Sequence, residues 1–329
     1  MNLIDRRRVL RLATVPAMAA VVPAHVALAA GYPERPIRLY VASVAGGLVD
    51  IASREFAERM GTYLGQPMVV ENVPGASTIV AARKVAALPP DGYALMSFAD
   101  TFLTAPLLNK SAGYDAARDF AGIGELARSP LLLVVPAASP IRSLADLVES
   151  ARRSPGRLSY GSTGVGGTSH LPVVQLARQA RIEVIHVPFK GVTAIIPDLL
   201  AGRIDFTMGT ATSFHELLKA GKMRAIAVSS ESRVQAFPDV PTFRELGYPG
   251  ASSELFIGLV APAGTPMAVR IRLVDAMRTA KIDPKLAAKF ESLGQSLAPD
   301  ATPAQFDQFY RAKEEGYRKL VSEAGITAD

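Results

Sequence analysis

Ile37-Arg-Leu-Tyr-Val-Ala42, Ser43-Val-Ala-Gly-Gly47 and the segment from Asp50 to Gly61 decide the fold class. The first run is apolar and β-branched enough to read as a buried strand, and the second is a turn of small residues. In the third, Ile51, Phe56 and Met60 recur at helical spacing, which predicts an amphipathic helix. Asp50 and Arg54 sit four apart and are predicted to pair on the exposed face of that helix. The pattern then repeats. Met68-Val-Val-Glu71 is a second strand and Asn72-Val-Pro-Gly-Ala76 a turn. A helix follows through Val80 and Val85 to Pro89-Pro90, and Asp91-Gly92 turns into a strand over Tyr93–Phe98. Strand–helix alternation of this kind is the mark of a parallel α/β sheet.

The same alternation resumes further on. Leu131-Leu-Leu-Val-Val135 is a strand, and Ser143 with Asp146 three residues later caps a helix to Ala151. Leu158-Ser-Tyr160, Val184–Val187, Asp205–Met208 and Arg224–Val228 are further strands. Helices over Thr168–Ala180, Thr193–Gly202 and His215–Ala220 separate them. The chain returns through Leu255–Val260, and two helices, about 267–280 and 303–323, close it. A unit over residues 130–254 is thus inserted between the pieces 30–129 and 255–329. That arrangement predicts two lobes, two strands crossing between them as a hinge, and a cleft lined by loops at the carboxyl ends of strands.

Gly161-Ser-Thr-Gly-Val-Gly-Gly-Thr-Ser-His170 carries four glycines and four hydroxyls in ten residues. It leads from a strand into a helix start, where free N–H groups and the helix dipole favour an anion. It nearly matches a phosphate-binding loop, but Gly167 stands where that motif needs lysine. A cradle for a small anion is expected, without the cation that phosphoryl chemistry requires.

Residues 1–29 read as an export leader. Arg6-Arg-Arg-Val-Leu-Arg11 is basic, an apolar stretch follows to about Ala24, and Ala27-Leu-Ala29 is a cleavage site. The arginine pair also fits a twin-arginine signal. The apolar stretch is shorter than the ~20 residues that span a membrane, and Pro16 and Pro23 interrupt it. The expected location is therefore periplasmic. The chain has 329 residues, no cysteine and a net charge of +6. The leader holds four arginines and one aspartate, so the remainder carries 32 basic and 29 acidic residues, +3. With no run of like charge, nucleic acid is not an expected partner.

Catalytic chemistry finds little footing. No Gly-x-Ser-x-Gly elbow is present. Ser169 and His170 are adjacent and point apart at a helix start. The mature chain has histidines at 170, 186 and 215 only, with no His-Glu-x-x-His, so neither a metal nor any other cofactor is expected. His186 reads as a satisfied strand residue, His215 as a surface residue and Lys190 as a solvated turn lysine.

The turns at 43–49, 72–78, 98–101 and 161–169, with motifs along the whole mature chain, resemble one family. The pieces are Tyr32-Pro-Glu-Arg-Pro-Ile-Arg38, Ala45-Gly-Gly47 with Asp50 and Ala52-Ser-Arg54, Val70-Glu-Asn-Val-Pro-Gly-Ala76 and Pro90-Asp-Gly-Tyr93. They continue with Tyr114-Asp115, Arg118-Asp-Phe120, Leu158-Ser-Tyr-Gly161, Gly164-Val-Gly166, Ser169-His-Leu171 and His186-Val-Pro-Phe-Lys-Gly191. Gly221-Lys-Met-Arg-Ala225, Phe237-Pro-Asp-Val-Pro241 and Pro262-Ala-Gly-Thr-Pro266 complete the set. The family is that of the periplasmic substrate-binding proteins of tripartite tricarboxylate transporters, also called Bug receptors.

The resemblance implies a two-lobed α/β periplasmic binding protein of type II, with a mixed sheet in each lobe and no catalysis. It implies a carboxylate held by backbone amides and small hydroxyls. Val44, Ala45, Gly46, Leu48 and Val49 would supply the first lobe's donors, and Ser162, Gly166, Thr168 and Ser169 the second's. Thr101 would line the first-lobe wall, and Gly166→Asp should abolish binding with the fold intact. The implied partners are the ligand and membrane transporter subunits, with the receptor itself a monomer. A module serving a membrane sensor kinase, or an exported hydrolase, are the rival readings. The chain departs from the family pattern at Ala42-Ser43, at Val49 and at Ser77-Thr-Ile79, where glycines are usual. It also has Gly209-Thr210 where amino-acid-binding members tend to carry an acidic residue. An ammonium would then be buried unpaired, at high cost, so a carboxylate without an amino group is expected.

Overall fold

The computed structural model describes residues 31–327; the leader predicted over 1–29 lies outside the described residues. In chain order the strands are β1 (Ile37–Val41), β2 (Met68–Asn72), β3 (Ala94–Phe98), β4 (Phe120–Ser129), β5 (Leu131–Pro136), β6 (Ser159–Ser162), β7 (Ile185–Pro188), β8 (Phe206–Thr210), β9 (Met223–Val228), β10 (Leu255–Pro262) and β11 (Ser296–Leu297). They form two mixed sheets, a six-stranded one in the order β11-β4-β10-β3-β1-β2 and a five-stranded one in the order β7-β6-β8-β5-β9. β1 runs parallel to β2 and β3, and β6 runs parallel to β7 and β8. β10 and β5 add antiparallel pairings. The parallel trios arise because helices Leu48–Leu64, Ile79–Ala86, Leu171–Ala180 and Val192–Leu200 cross between consecutive strands. Antiparallel strands enter where the chain passes from one sheet to the other.

The chain crosses between the sheets at Pro130, joining β4 to β5, and again just before β10. β4 is a ten-residue strand that the pattern reading missed, because Gly122, Gly124 and Glu125 break its apolar run. The glycines serve close approach. A Cβ at Gly122 would stand 2.8 Å from Phe306, and one at Gly124 would overlap Met277. Helices Met267–Lys281 and Pro303–Glu323 therefore lie directly on this strand. Arg270, buried, donates to the Gly122 carbonyl at 2.9 Å and pairs with Asp307 at 2.6 Å. The helix Pro284–Ser292 was also missed, although Asp283 followed by Pro284 is a cap-and-first-turn signature.

The turn after β2 is strained. Ala76, Ser77 and Thr78 have φ of 44°, 50° and 78°, a left-handed conformation costing non-glycine residues about 1–2 kcal/mol each. Ser77 is exposed, so glycine there removes strain without removing packing. Set against glycine's greater freedom when unfolded, Ser77→Gly is expected to stabilise by about 0.5–1 kcal/mol. Calorimetric melting should rise by about 1–2 °C; an unchanged or lower midpoint would show that the turn is not strained.

Candidate functional site

The parallel trios bring their carboxyl-end loops together. In the six-stranded sheet these are residues 42–47, 73–78 and 99–100, since Val41 pairs with both Asn72 and Ser97. After β1, Gly46 adopts φ 78° and Gly47 sits at the helix start without a side-chain cap. The Gly46 N–H donates to Asp50 Oδ2 at 2.8 Å. Asp50 Oδ1 accepts from Asn72 Nδ2 at 2.8 Å and from Arg54 Nε at 3.0 Å. Asn72 also donates to the Ser43 carbonyl at 3.1 Å. The predicted Asp50–Arg54 pair forms, but its placement on the exposed face is corrected. The Asp50 side chain is buried, and only Arg54 reaches solvent. Asp50 points inward because it ties the first turn to β2. Burial opposes its charge, yet the bonds from Arg54, Gly46 and Asn72 prevail and hold its carboxyl below the usual aspartate range.

This network shapes the turn and leaves the helix start open. The first intrahelical bond runs from Ile51 N–H to the Gly47 carbonyl. Among the described residues, the amides of Leu48, Val49 and Asp50 ahead of it have no acceptor. Val44, Ala45 and Gly46 are exposed, Leu48 is half-buried and Val49 is buried. Thr101, half-buried, opens the helix Thr101–Leu108 beside them.

In the five-stranded sheet, loop 162–170 is built by its own side chains. Ser169 Oγ accepts from Thr163 N–H at 2.8 Å, and Ser162 Oγ accepts from Gly164 N–H at 3.1 Å. His170 Nδ1 accepts from Gly166 N–H at 2.9 Å, which places the His170 proton on Nε2. His170 stacks on His186 at 4.0 Å, and His186 on Tyr160 at 5.1 Å. The hydroxyls of Ser162 and Ser169 are thus committed to the loop. Thr168 is half-buried, and its hydroxyl has no partner among the described residues. Nor do the amides of Val165, Thr168 and Ser169. Gly46 and Gly166, named as donors, give their N–H groups to Asp50 and His170. Each acceptor lies four residues on, but the sequence does not say that its side chain folds back onto the glycine amide.

Ser162 Oγ also lies 2.6 Å from His186 Nε2, the spacing of a nucleophile–base pair. Ser162 is fully buried and its Oγ is bonded to both N–H and C=O of Gly164.

The two halves touch around these loops. A Cβ on Gly166 (φ 69°) would overlap Leu108 Cδ1, so Gly166→Asp tests this contact as well as the cradle. Leu171 packs into the cluster of Phe98, Phe102 and Leu103. Arg178 pairs with Glu323 at 2.6 Å.

Two buried groups near the loops titrate in opposite senses. Burial, aided by His186, lowers His170 to about 4. Burial raises Asp100 to about 6, against the pull of Lys313 and a 2.9 Å bond from Tyr317. His170 therefore contributes stability that is full above about pH 6.5 and lost as pH falls toward 4. Asp100 contributes stability that is full below about pH 3.8 and lost as pH rises through 6. Each swing is about 2–3 kcal/mol. Relative to wild type, His170→Asn should make stability rise on acidification from pH 6.5 to 4, and Asp100→Asn should make it fall more. Melting curves across that range check both signs; parallel wild-type and variant profiles would refute them.

Among the described residues no helix is long and apolar enough to cross a membrane. Residues 52–325 match the model of the tripartite tricarboxylate transporter family receptor. A UPF0065 protein of Pseudomonas sp. strain P51 is 33% identical over 299 residues, 91% of this chain and 89% of the relative. An R. palustris protein solved with adipate is 30% identical, with TM-score 0.78 over 90% of this chain and 99% of that one. MatC from Rhodopseudomonas palustris, solved with bound malate, is 27% identical, with TM-score 0.74 over 88% and 100%. With its two mixed sheets, its crossings at Pro130 and before β10, and a family match over nearly the whole described chain, the protein belongs to the tripartite tricarboxylate transporter receptor family.

Proposed function

We propose that the protein is an exported periplasmic receptor that captures a small organic carboxylate and presents it to membrane transporter subunits. Residues 30–129 with 255–329 form one lobe and residues 130–254 the other. The observation that carries this reading is the set of uncommitted amides at the two loops, Leu48 to Asp50 and Val165, Thr168 and Ser169. Helix starts and small nests of N–H groups hold a carboxylate without a fixed cation. Thr168 adds a hydroxyl and Thr101 a wall, while Val44, Ala45, Gly46, Ser162, Gly166 and Ser169 shape the cradle. The adipate and malate in the two solved relatives support this ligand class.

The ligand lacks an α-amino group in this reading. A Cβ at Gly209 would meet the buried Phe214 ring at 2.8 Å, so position 209 has no room for an acidic side chain that could pair an ammonium. A thermal-shift screen against mono-, di- and tricarboxylates, with glutamate and aspartate included, tests both points. A bound carboxylate at a hundredfold excess over Kd should stabilise by about 2.7 kcal/mol. No response to any carboxylate would refute the receptor reading, and a preference for glutamate or aspartate would refute the ligand class. The buried Ser162 should resist an active-site serine probe; labelling that Ser162→Ala removes would favour a hydrolase.

A further inference from the structure

A cavity of about 360 Å³ lies between the segment that follows β9 and the carboxyl-terminal part of the chain. Val234 and its neighbours form one wall, and Ala287, Glu291 and Gln295 form the other. Glu254, on the crossing before β10, lies between them. The cavity shares no lining residue with the loops at 44–49, 101 and 162–169.

Two observations give this cavity a chemistry. Gln295 is 5% exposed, and neither its Oε1 nor its Nε2 has a hydrogen-bond partner. A stranded buried amide is costly, and turning it toward a polar occupant breaks no existing bond. The charges on the lining are Glu254, Glu291 and Arg233. Arg233 is already neutralised, with Glu245 at 2.9 Å and the Pro238 carbonyl at 3.1 Å. Among the described residues neither Glu254 nor Glu291 has an ion-pair partner within 4.0 Å. Burial pushes the Glu254 carboxyl up; Arg128 and Lys313 oppose the rise, and Glu125 and Glu231 add to it. A positive charge beside Glu254 would relieve that cost, and Val234 and Ala287 offer an apolar body of contact between the polar ends.

We infer that this cavity is a second ligand site, for a small aliphatic amine whose ammonium sits by Glu254 and Glu291 and whose far end reaches Gln295. The site is separate from the carboxylate cradle and stands whether or not that cradle is correctly placed. Isothermal titration at low salt with 1,4-diaminobutane and with 1,4-butanediol tests it. The diamine should bind saturably and the equally long neutral diol should not. Glu254→Gln/Glu291→Gln should weaken the diamine by about tenfold or more, the worth of one desolvated charge contact. Gln295→Leu should weaken it too without lowering the melting midpoint, because no native bond is lost. If the double variant does not fold, Glu254→Gln alone, at the half-buried carboxyl, serves the same test. Absence of saturable diamine binding, equal binding of the diol, or undiminished affinity in the glutamine variant would overturn the inference.

Discussion

Alanine at position 166 is expected to weaken carboxylate binding by roughly 100-fold while both sheets stay folded. Gly166 holds φ at 69°, and its Cα faces Leu108 so closely that an added Cβ would overlap the Leu108 methyl. The left-handed conformation costs alanine about 1 kcal/mol. Overfilling a packed contact adds about 1–3 kcal/mol. The backbone cost is borne with or without ligand and falls on stability, so the steric 1–3 kcal/mol sets the effect on Kd, about 5- to 150-fold. The overlap arises where the two halves meet, so the steric part falls on the liganded, closed arrangement more than on the folded state of either half. Calorimetric titration of Gly166→Ala against Gly166→Ala/Leu108→Ala separates the two parts. The double variant should recover the affinity and keep the lowered melting midpoint that the backbone strain imposes. An unchanged Kd in the single variant would mean that this contact plays no part in closure.

Asp50→Ala is expected to have the largest effect on stability among changes near the site. It removes the acceptor of the Gly46 amide, of Asn72 and of Arg54 together. Breaking a buried charge pair costs about 3–5 kcal/mol, but Arg54 is half exposed and can rehydrate. We therefore expect about 2–3 kcal/mol, a fall of roughly 3–5 °C in a chain of this size. The turn also loses its tie to β2, so carboxylate affinity should drop with it. Asp50→Asn keeps an acceptor for Gly46 and should do less damage. Because the native carboxyl lies below its ordinary range, its contribution is present above about pH 4 and lost as pH falls through the native value. Wild type and Asp50→Ala should converge in stability there. A parallel offset at all pH values would show that the ion pair is not the source.

How much of this was legible in the sequence follows from what each feature depends on. Short-range patterns were readable. The apolar run of β1, the Ser143–Asp146 capping box and the glycine-rich loop after β6 all depend on neighbours within a few residues. β4 was not, because its glycines record the approach of helices that arrive some 150 and 180 residues later. Asp50 was read half correctly. The four-residue spacing announces Arg54, but Asn72 and the Gly46 amide turn the carboxylate inward, and no local pattern reveals that. His186 reads as a satisfied strand residue and His170 only as the neighbour of Ser169; their stack forms because the loop after β6 folds back over β7.

Strand and helix periodicity are local properties, so the two runs of alternating strands and helices and the two small-residue loops ahead of helices could be read from the residues alone. Only the tertiary structure decided which groups of those loops remain free. The glycine amides at 46 and 166 and the hydroxyls at 162 and 169 find partners inside their own half of the molecule, and the donors left over belong to helix starts that have none. Hydrogen-bond capacity is assigned by proximity in space, and a sequence lists the donors without saying which of them the fold has already paired.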